Sequence, residues 1–216
     1  MTIIAPSVLS LDYSRFSEQI ADLHRSKAQW LHFDVMDGHF VPNLTFGPDI
    51  LKAFRKASHL FMDVHLMVDD PDYFSDVFID AGAQMITFHT EALNDDPVRI
   101  SALIDKIKAR HVKVGLTIKP KTPVDILLPY ITEVDMLLIM SVEPGFGGQA
   151  FMPQSLDKIA VLRKAIDQTG AHALIQVDGG INGHTATLVK DAGADVLVAG
   201  SYIFSGNIVA AVESLC

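Results

Sequence analysis

Cysteine is nearly missing from this chain: Cys216 is the only one. No intrachain disulfide can form, and the composition suits a reducing compartment, with the cytoplasm as the expected location. Basic residues are also scarce, 17 Lys and Arg against 26 Asp and Glu, for a formal net charge of -9. A nucleic acid or an anionic membrane normally requires a concentrated field of lysines and arginines, so neither is an expected partner. No segment offers ~20 uninterrupted apolar residues, and the opening MTIIAPSVLSLDYSRF lacks the basic flank and long apolar run of a signal peptide. Secretion and membrane insertion are not expected. A small anionic substrate stays compatible with an acidic chain, provided that backbone amides, a local cation or a metal receive it.

With 49% hydrophobic and 20% charged residues, the chain has ample material for a packed core and little of the polar bias of disorder. One barrel domain can take all 216 residues, since such barrels run from ~200 residues upward, and residues 1–216 are expected to form one domain. Short apolar runs recur before amphipathic stretches, the pattern of buried parallel strands alternating with covering helices. Eight strands are expected: Ile3 to Leu9, Trp30 to Asp34, Phe61 to Leu66, Met85 to His89, Lys113 to Ile118, Met136 to Met140, Leu174 to Val177 and Val196 to Ala199. Helical patterns lie between them, such as Tyr13 to Leu23, Pro71 to Ile79, Pro97 to Ala109 and Ser155 to Asp167. Pro71 and Pro97 suit first helical turns, where a missing amide proton costs least. Alternation alone does not separate a closed (β/α)₈ barrel from an open sheet; the polar residues discriminate better.

In LHFDVMDG, His32 and Asp34 are two apart on a strand and point to the same side. In MDVHLMV the same parity groups Asp63, His65 and Met67, and in IQVDGGI Asp178 ends a strand before paired glycines. A single buried histidine is more often a hydrogen-bonded structural residue than a ligand. Two imidazoles and two carboxylates at strand ends form a donor set for one divalent ion, whether zinc, iron(II), manganese or cobalt. A barrel brings such distant residues to one mouth, at the carboxyl ends of its strands.

Glycine-containing turns follow the last three strands: SVEPGFGGQ, DGGI and AGS. Each alone reads as a tight turn. Together they mark a phosphate site formed by backbone amides, because barrels commonly bind phosphate in the loops after their final strands. Gly145, Phe146, Gly147, Gly148, Gly179, Gly180, Gly200 and Ser201 are the candidate contacts, and no lysine or arginine falls within these segments.

The motifs HFDVMDG, DVHLMV, PGFGGQ and VDGGI, spread over nearly the whole chain, resemble those of ribulose-phosphate 3-epimerase. The resemblance implies a ribulose-phosphate-binding barrel and one catalytic divalent metal per subunit, held by His32, Asp34, His65 and Asp178. It further implies Asp34 and Asp178 as acid and base, Ser7 and His65 as substrate contacts, Met36, Met67 and Met140 around the reacting region, and a homo-oligomer. The methionines also read as core filling. Gln176 departs from the glutamate frequent in the family; an amide there removes a charge behind the ligands and is expected to alter metal affinity or the basicity of Asp178.

Inverting carbon 3 of a ketose phosphate removes a proton next to a carbonyl and returns one to the opposite face, a task for two carboxylates on opposite sides of an enediolate. The expected reaction joins D-ribulose 5-phosphate and D-xylulose 5-phosphate, within the pentose phosphate pathway. A hexulose-phosphate 3-epimerase, such as one acting on allulose 6-phosphate, is the alternative with the same chemistry. A barrel decarboxylase would need a lysine among the strand-end carboxylates, and none lies between Asp34 and Asp37. A noncatalytic sugar-phosphate binder would need the glycine turns without the two acids. His89 and Glu91 read as structural, and Asp37 and Gly38 as a turn.

Overall fold

The computed structural model describes residues 2–216. Eight strands, all parallel where paired, form one sheet: β1 (Ile3–Pro6), β2 (Trp30–Met36), β3 (Phe61–Met67), β4 (Met85–His89), β5 (Lys113–Ile118), β6 (Met136–Met140), β7 (Leu174–Asp178) and β8 (Val196–Ala199). Each pairs with its sequence neighbour from β2 to β8, and β1 pairs with β8. The remaining seam, between β1 and β2, is joined by a parallel bridge between Ser7 and His32 and by the Gln29 N–H donating to the Ile4 carbonyl. The sheet therefore curls into a (β/α)₈ barrel.

Helices cover the outside: α1 (Phe16–Arg25), α2 (Pro48–Ala57), α3 (Pro71–Asp80), α4 (Pro97–Ala109), α5 (Ser155–Thr169), α6 (Gly183–Ala192), α7 (Ser201–Phe204) and α8 (Ile208–Leu215). Pro71 and Pro97 occupy first turns, and Asp70 and Asp96 accept from amides of the turns they precede. Two expectations change in detail. The first strand stops at Pro6, because Ser7 turns the chain into a short 3₁₀ segment, Val8–Ser10, accepting a bond from the Leu9 amide. Among the described residues the connection from β5 to β6 holds no α-helix, only 3₁₀ turns at Val124–Ile126 and Leu128–Tyr130. Pro120, Pro123 and Pro129 deny that stretch a continuous ladder of backbone donors.

Strand parity sorts the side chains. Leu31, Phe33 and Val35 join the core between barrel and helices, with Ile20 and Leu23 of α1 and Leu51 and Phe54 of α2. Inside the barrel, the lowest tier is apolar, with Ala5, Trp30, Met85, Met136 and Val196 backed by Ile3, Phe61 and Leu174. Above it lie fully buried polar residues, His32, Asp63, Thr87 and Gln176. Asp34, His65, His89 and Asp178 follow, two residues further along their strands. Among the described residues no helix is long and apolar enough to cross a membrane.

Phe54 is fully buried and meets Phe16 and Phe33 edge-on, each with ring centroids 4.9 Å apart. Such contacts add to the gain from apolar burial. Phe54→Ala is expected to lower the unfolding free energy by about 3–5 kcal/mol, measured by urea denaturation; a loss below about 1 kcal/mol would show that α2 does not depend on this contact.

Candidate active site

The site is assembled by register. His32 lies opposite Asp63, Asp34 opposite His65 and Met36 opposite Met67 across the β2–β3 ladder, while Asp178 lies beside Met140 and Val198. Inward-facing residues of β2, β3 and β7 consequently converge at the carboxyl end of the barrel.

His32 is fully buried. Its Nδ1 is 2.7 Å from Asp63 Oδ2, which also accepts from the Gln176 amide at 2.6 Å. A carboxylate offers only acceptors to such neighbours, so His32 Nδ1 carries a proton and Nε2 is the nitrogen turned into the cluster. Nε2 has no hydrogen-bond partner, although it lies 3.2 Å from Asp34 Oδ1 and 4.0 Å from Asp178 Oδ2. Burial disfavours an imidazolium there, but Asp34 and Asp63 outweigh it and hold the His32 pKa well above the ordinary histidine value.

Asp34 Oδ2 accepts from the Ser7 hydroxyl at 2.6 Å, and its Oδ1 lies 3.3 Å from His65 Nδ1. Burial alone would raise its pKa; His32 and His65 reverse the balance and keep Asp34 ionised well below the usual carboxylate range. Asp178, at the end of β7, moves the other way. Burial first, and then the negative charge of Asp34, push it up to about 7. His65 is lowered by burial, with Asp34 opposing the shift, and its Nε2 lies 2.9 Å from His89 Nε2. Burial lowers His89 to about 4.

One donor atom each from His32, Asp34, His65 and Asp178 lie within 4.8 Å of one another. Two imidazoles, two carboxylates and an unpartnered buried nitrogen fit a divalent cation in both chemistry and convergence. Above the cluster opens a cavity of about 600 Å³. Ser7, Asp34, Met36, Met67, Met140, Gly145, Phe146, Gly147, Gly148, Asp178, Gly179, Gly180, Gly200 and Ser201 line it. His32 and His65 are buried beneath. No lysine or arginine is among the lining residues. The glycines also serve packing: a Cβ on Gly180 would come within 2.6 Å of the Phe151 nitrogen, and one on Gly200 within 2.5 Å of Ser10 Oγ. Met36 and Met67 pack with Val41 while walling the cavity, so lining and core filling coexist in them.

Two residues here were not singled out from the sequence. Asn182 and Thr185 line the cavity and form a capping box at the start of α6, a feature legible in NGHT had the helix start been placed. Gln176 donates to Asp63, so its influence reaches His32 through that carboxylate rather than acting directly on Asp178. His89 has no sequence cue beyond strand parity. Asp37 does form a turn, accepting from the amides of His39 and Phe40, and Asn43 donates to the Gly145 carbonyl at 2.9 Å, linking the loops after β2 and β6.

Fold and cluster together define a (β/α)₈-barrel enzyme with a metal-competent His₂Asp₂ centre at its mouth. A model of the ribulose-phosphate 3 epimerase family matches residues 3–204. The chain is 45% identical to the ribulose-phosphate 3-epimerase of Treponema pallidum (strain Nichols), over 95% of this chain and 92% of that protein. It is 42% identical to that of Bacillus subtilis (strain 168), over 94% and 93%. It belongs to the ribulose-phosphate 3-epimerase family, whose members are isomerases. Solved structures add the fold alone: KGPDC from Streptococcus mutans superposes with a TM-score of 0.71 at 12% identity, over 100% of this chain and 95% of that one. A 3-hexulose-6-phosphate synthase gives 0.69 at 18%, over 100% and 98%.

A cation at the cluster competes with the protons on Asp178 and His32, so acid must weaken binding. Zn²⁺ or Mn²⁺ affinity, measured by calorimetry, is expected to fall at least roughly tenfold per pH unit as pH drops below about 7. A flat profile between about pH 5.5 and 7 would contradict the proton assignment.

Proposed function

We propose that this chain interconverts D-ribulose 5-phosphate and D-xylulose 5-phosphate by metal-dependent proton transfer at carbon 3, through an enediolate. The observation that carries this reading is the convergence of two carboxylates in one centre: Asp34 from β2 and Asp178 from β7 bring donor atoms within 4.8 Å of one another and line the same cavity. Two carboxylates reaching one substrate from different strands can take a proton and return one.

The strand order supports their division of labour. Asp34 on β2 and Asp178 on β7 are separated by β1 and β8 around the barrel, so they approach a substrate at the mouth from well-separated directions. Asp34 takes the carbon 3 proton from one face, Asp178 delivers a proton to the other, and the roles exchange in the reverse direction. Ser7, donating to Asp34 Oδ2, orients this base and stabilises its charge. His32, Asp34, His65 and Asp178 would hold the divalent ion, with zinc, iron(II), manganese and cobalt all compatible with the donor set. When bound, the ion supplies an electrophile that polarises the ketone and offsets developing negative charge.

The turns carrying Gly145, Gly147, Gly148, Gly179, Gly180 and Gly200, with Ser201, supply the backbone and hydroxyl donors for the phosphate, since the lining offers no cationic side chain. Met36, Met67 and Met140 give the reacting carbons a polarizable wall that excludes water. In this reading residues 1–216 act as one catalytic domain in the cytoplasm, in the pentose phosphate pathway, and the subunits assemble as a homo-oligomer, which light scattering would check.

Asp34→Asn and Asp178→Asn are each expected to lower turnover by about 10³-fold or more while leaving the fold intact, measured by a coupled assay beside circular dichroism. Near-normal turnover in either variant removes the two-base assignment. Deuterium wash-in from solvent refines the test, because a variant retaining one base can still exchange the carbon 3 proton of one epimer without inverting it. A hexulose 6-phosphate run in parallel decides substrate length: turnover favouring it over the pentose would replace this reading with the hexulose-phosphate one.

A further inference from the structure

Residues 143–149, in the connection from β6 to α5, belong to no helix or strand. Gly145, Phe146, Gly147 and Gly148 line the cavity, and among the described residues none of their backbone amides donates to a protein group. Gly145 and Gly148 have φ of +126° and +74°, a region in which successive amides can face one way and receive an anion.

The carbonyls of this turn that have partners take them from side-chain amides. Within the turn, Gln149 Nε2 donates to the Glu143 carbonyl at 2.6 Å and to the Phe146 carbonyl at 2.8 Å. From outside, Asn43 Nδ2 donates to the Gly145 carbonyl at 2.9 Å, and among the described residues no other hydrogen bond ties residues 143–149 to the rest of the chain. Val41 and Pro42 press on the same point: a Cβ on Gly145 would stand 3.4 Å from Val41 Cβ and 3.7 Å from Pro42 Cδ.

Asn43 is itself held. Its Oδ1 accepts from the Leu44 amide at 2.9 Å, which leaves its NH₂ end for Gly145. Its own carbonyl accepts from the Gly38 amide at 3.0 Å, and Asp37 and Leu44 form an antiparallel bridge, so this loop is braced at the end of β2. Asn43 does not line the cavity, and the Gly145 carbonyl that it binds is turned toward the loop after β2. In a planar trans peptide the C=O and the following N–H point in opposite directions. Holding the Gly145 carbonyl against Asn43 therefore sends the Phe146 N–H the other way, toward the cavity that Phe146 lines. A peptide free to rotate would instead present a carbonyl oxygen to an anion and repel it.

We infer that Asn43 is a positioning residue for phosphate: through the Gly145 carbonyl it aims the Phe146 amide into the cavity as a donor. The inference deepens the proposed phosphate site and rests on residues 145–148 being part of it. The gain is preorganisation, since a turn already held in its binding shape loses less freedom when the anion arrives.

Asn43→Asp and Asn43→Ala test it together. The first can still accept from the Leu44 amide but sets an oxygen against the Gly145 carbonyl; the second removes both bonds and adds no charge. Inorganic phosphate is the probe. In ¹H–¹⁵N NMR of the purified wild type, phosphate is expected to move the Phe146 amide proton downfield. In both variants the phosphate dissociation constant is expected to rise roughly 3–10-fold, the effect of one lost hydrogen bond. The KM for D-ribulose 5-phosphate rises with it, the loss falling on KM rather than on kcat. A role confined to the loop after β2 would leave Asn43→Asp with wild-type phosphate affinity. That result, wild-type phosphate affinity in Asn43→Ala, or a Phe146 amide unmoved by phosphate in the wild type each overturns the inference. If neither variant folds, the wild-type titration decides by itself. A wild type whose Phe146 amide responds to phosphate, with weaker binding in both variants but no turnover of D-ribulose 5-phosphate, supports the inference and removes the pentose reading instead.

Discussion

The interior of this barrel is kept from water, and a polar side chain there must either find a partner or impose a large desolvation cost. The pairing of His32 with Asp63 meets that demand beneath the centre, and the remainder of the site depends on it. With Nδ1 tied to a carboxylate, His32 can turn only Nε2 upward, and Gln176 holds Asp63 in place from across the barrel. Removing Asp63 would leave both an imidazole and an amide without their partner. The polar tier is therefore a foundation as well as a donor set able to hold a cation, resting on the apolar tier formed by Trp30, Met85, Met136 and Val196.

Electrostatics then separates the two carboxylates. Asp34 has imidazoles close to its Oδ1 and a hydroxyl on its Oδ2, and three favourable neighbours compensate for its burial. Asp178 has none of those bonds and faces the negative charge of Asp34. The difference between them arises from position rather than from chemistry, since the side chains are identical. A barrel suits such a division because each strand carries its residue to the same height with different neighbours on either side.

Much of this arrangement is legible from strand parity. HFDVMDG and DVHLMV announce inward residues at alternate positions, and the ladder pairs them as parity requires, His32 with Asp63 and Asp34 with His65. Asp178 is legible from its place before two glycines. Other features depend on relations that a linear reading does not contain. Whether His89 touches His65 depends on the register of β4 against β3, and Glu91 acquires its orientation from Lys119 and Thr122, about one barrel unit further on. The missing helix between β5 and β6 was obscured by the regularity of the units around it, although its prolines were in view. Gln176 was visible as an inward residue, but its partner was not, because Asp63 lies on a strand far around the barrel.

The pairing of the first strand with the last has a consequence for synthesis. Ile3 pairs with Val196 and Pro6 with Ala199, so β1 leaves the ribosome first but has no strand on that side until almost the entire chain has followed. At roughly 5–20 residues per second this is a wait of about ten to forty seconds, during which an apolar strand edge must stay protected from other chains. Ser7, immediately after β1, supplies the hydroxyl bound to Asp34. That contact lies between β1 and β2 and needs no later strand, whereas a nascent chain cut short before β8 would carry His32, Asp34, His65 and Asp178 together without the strand that closes the barrel.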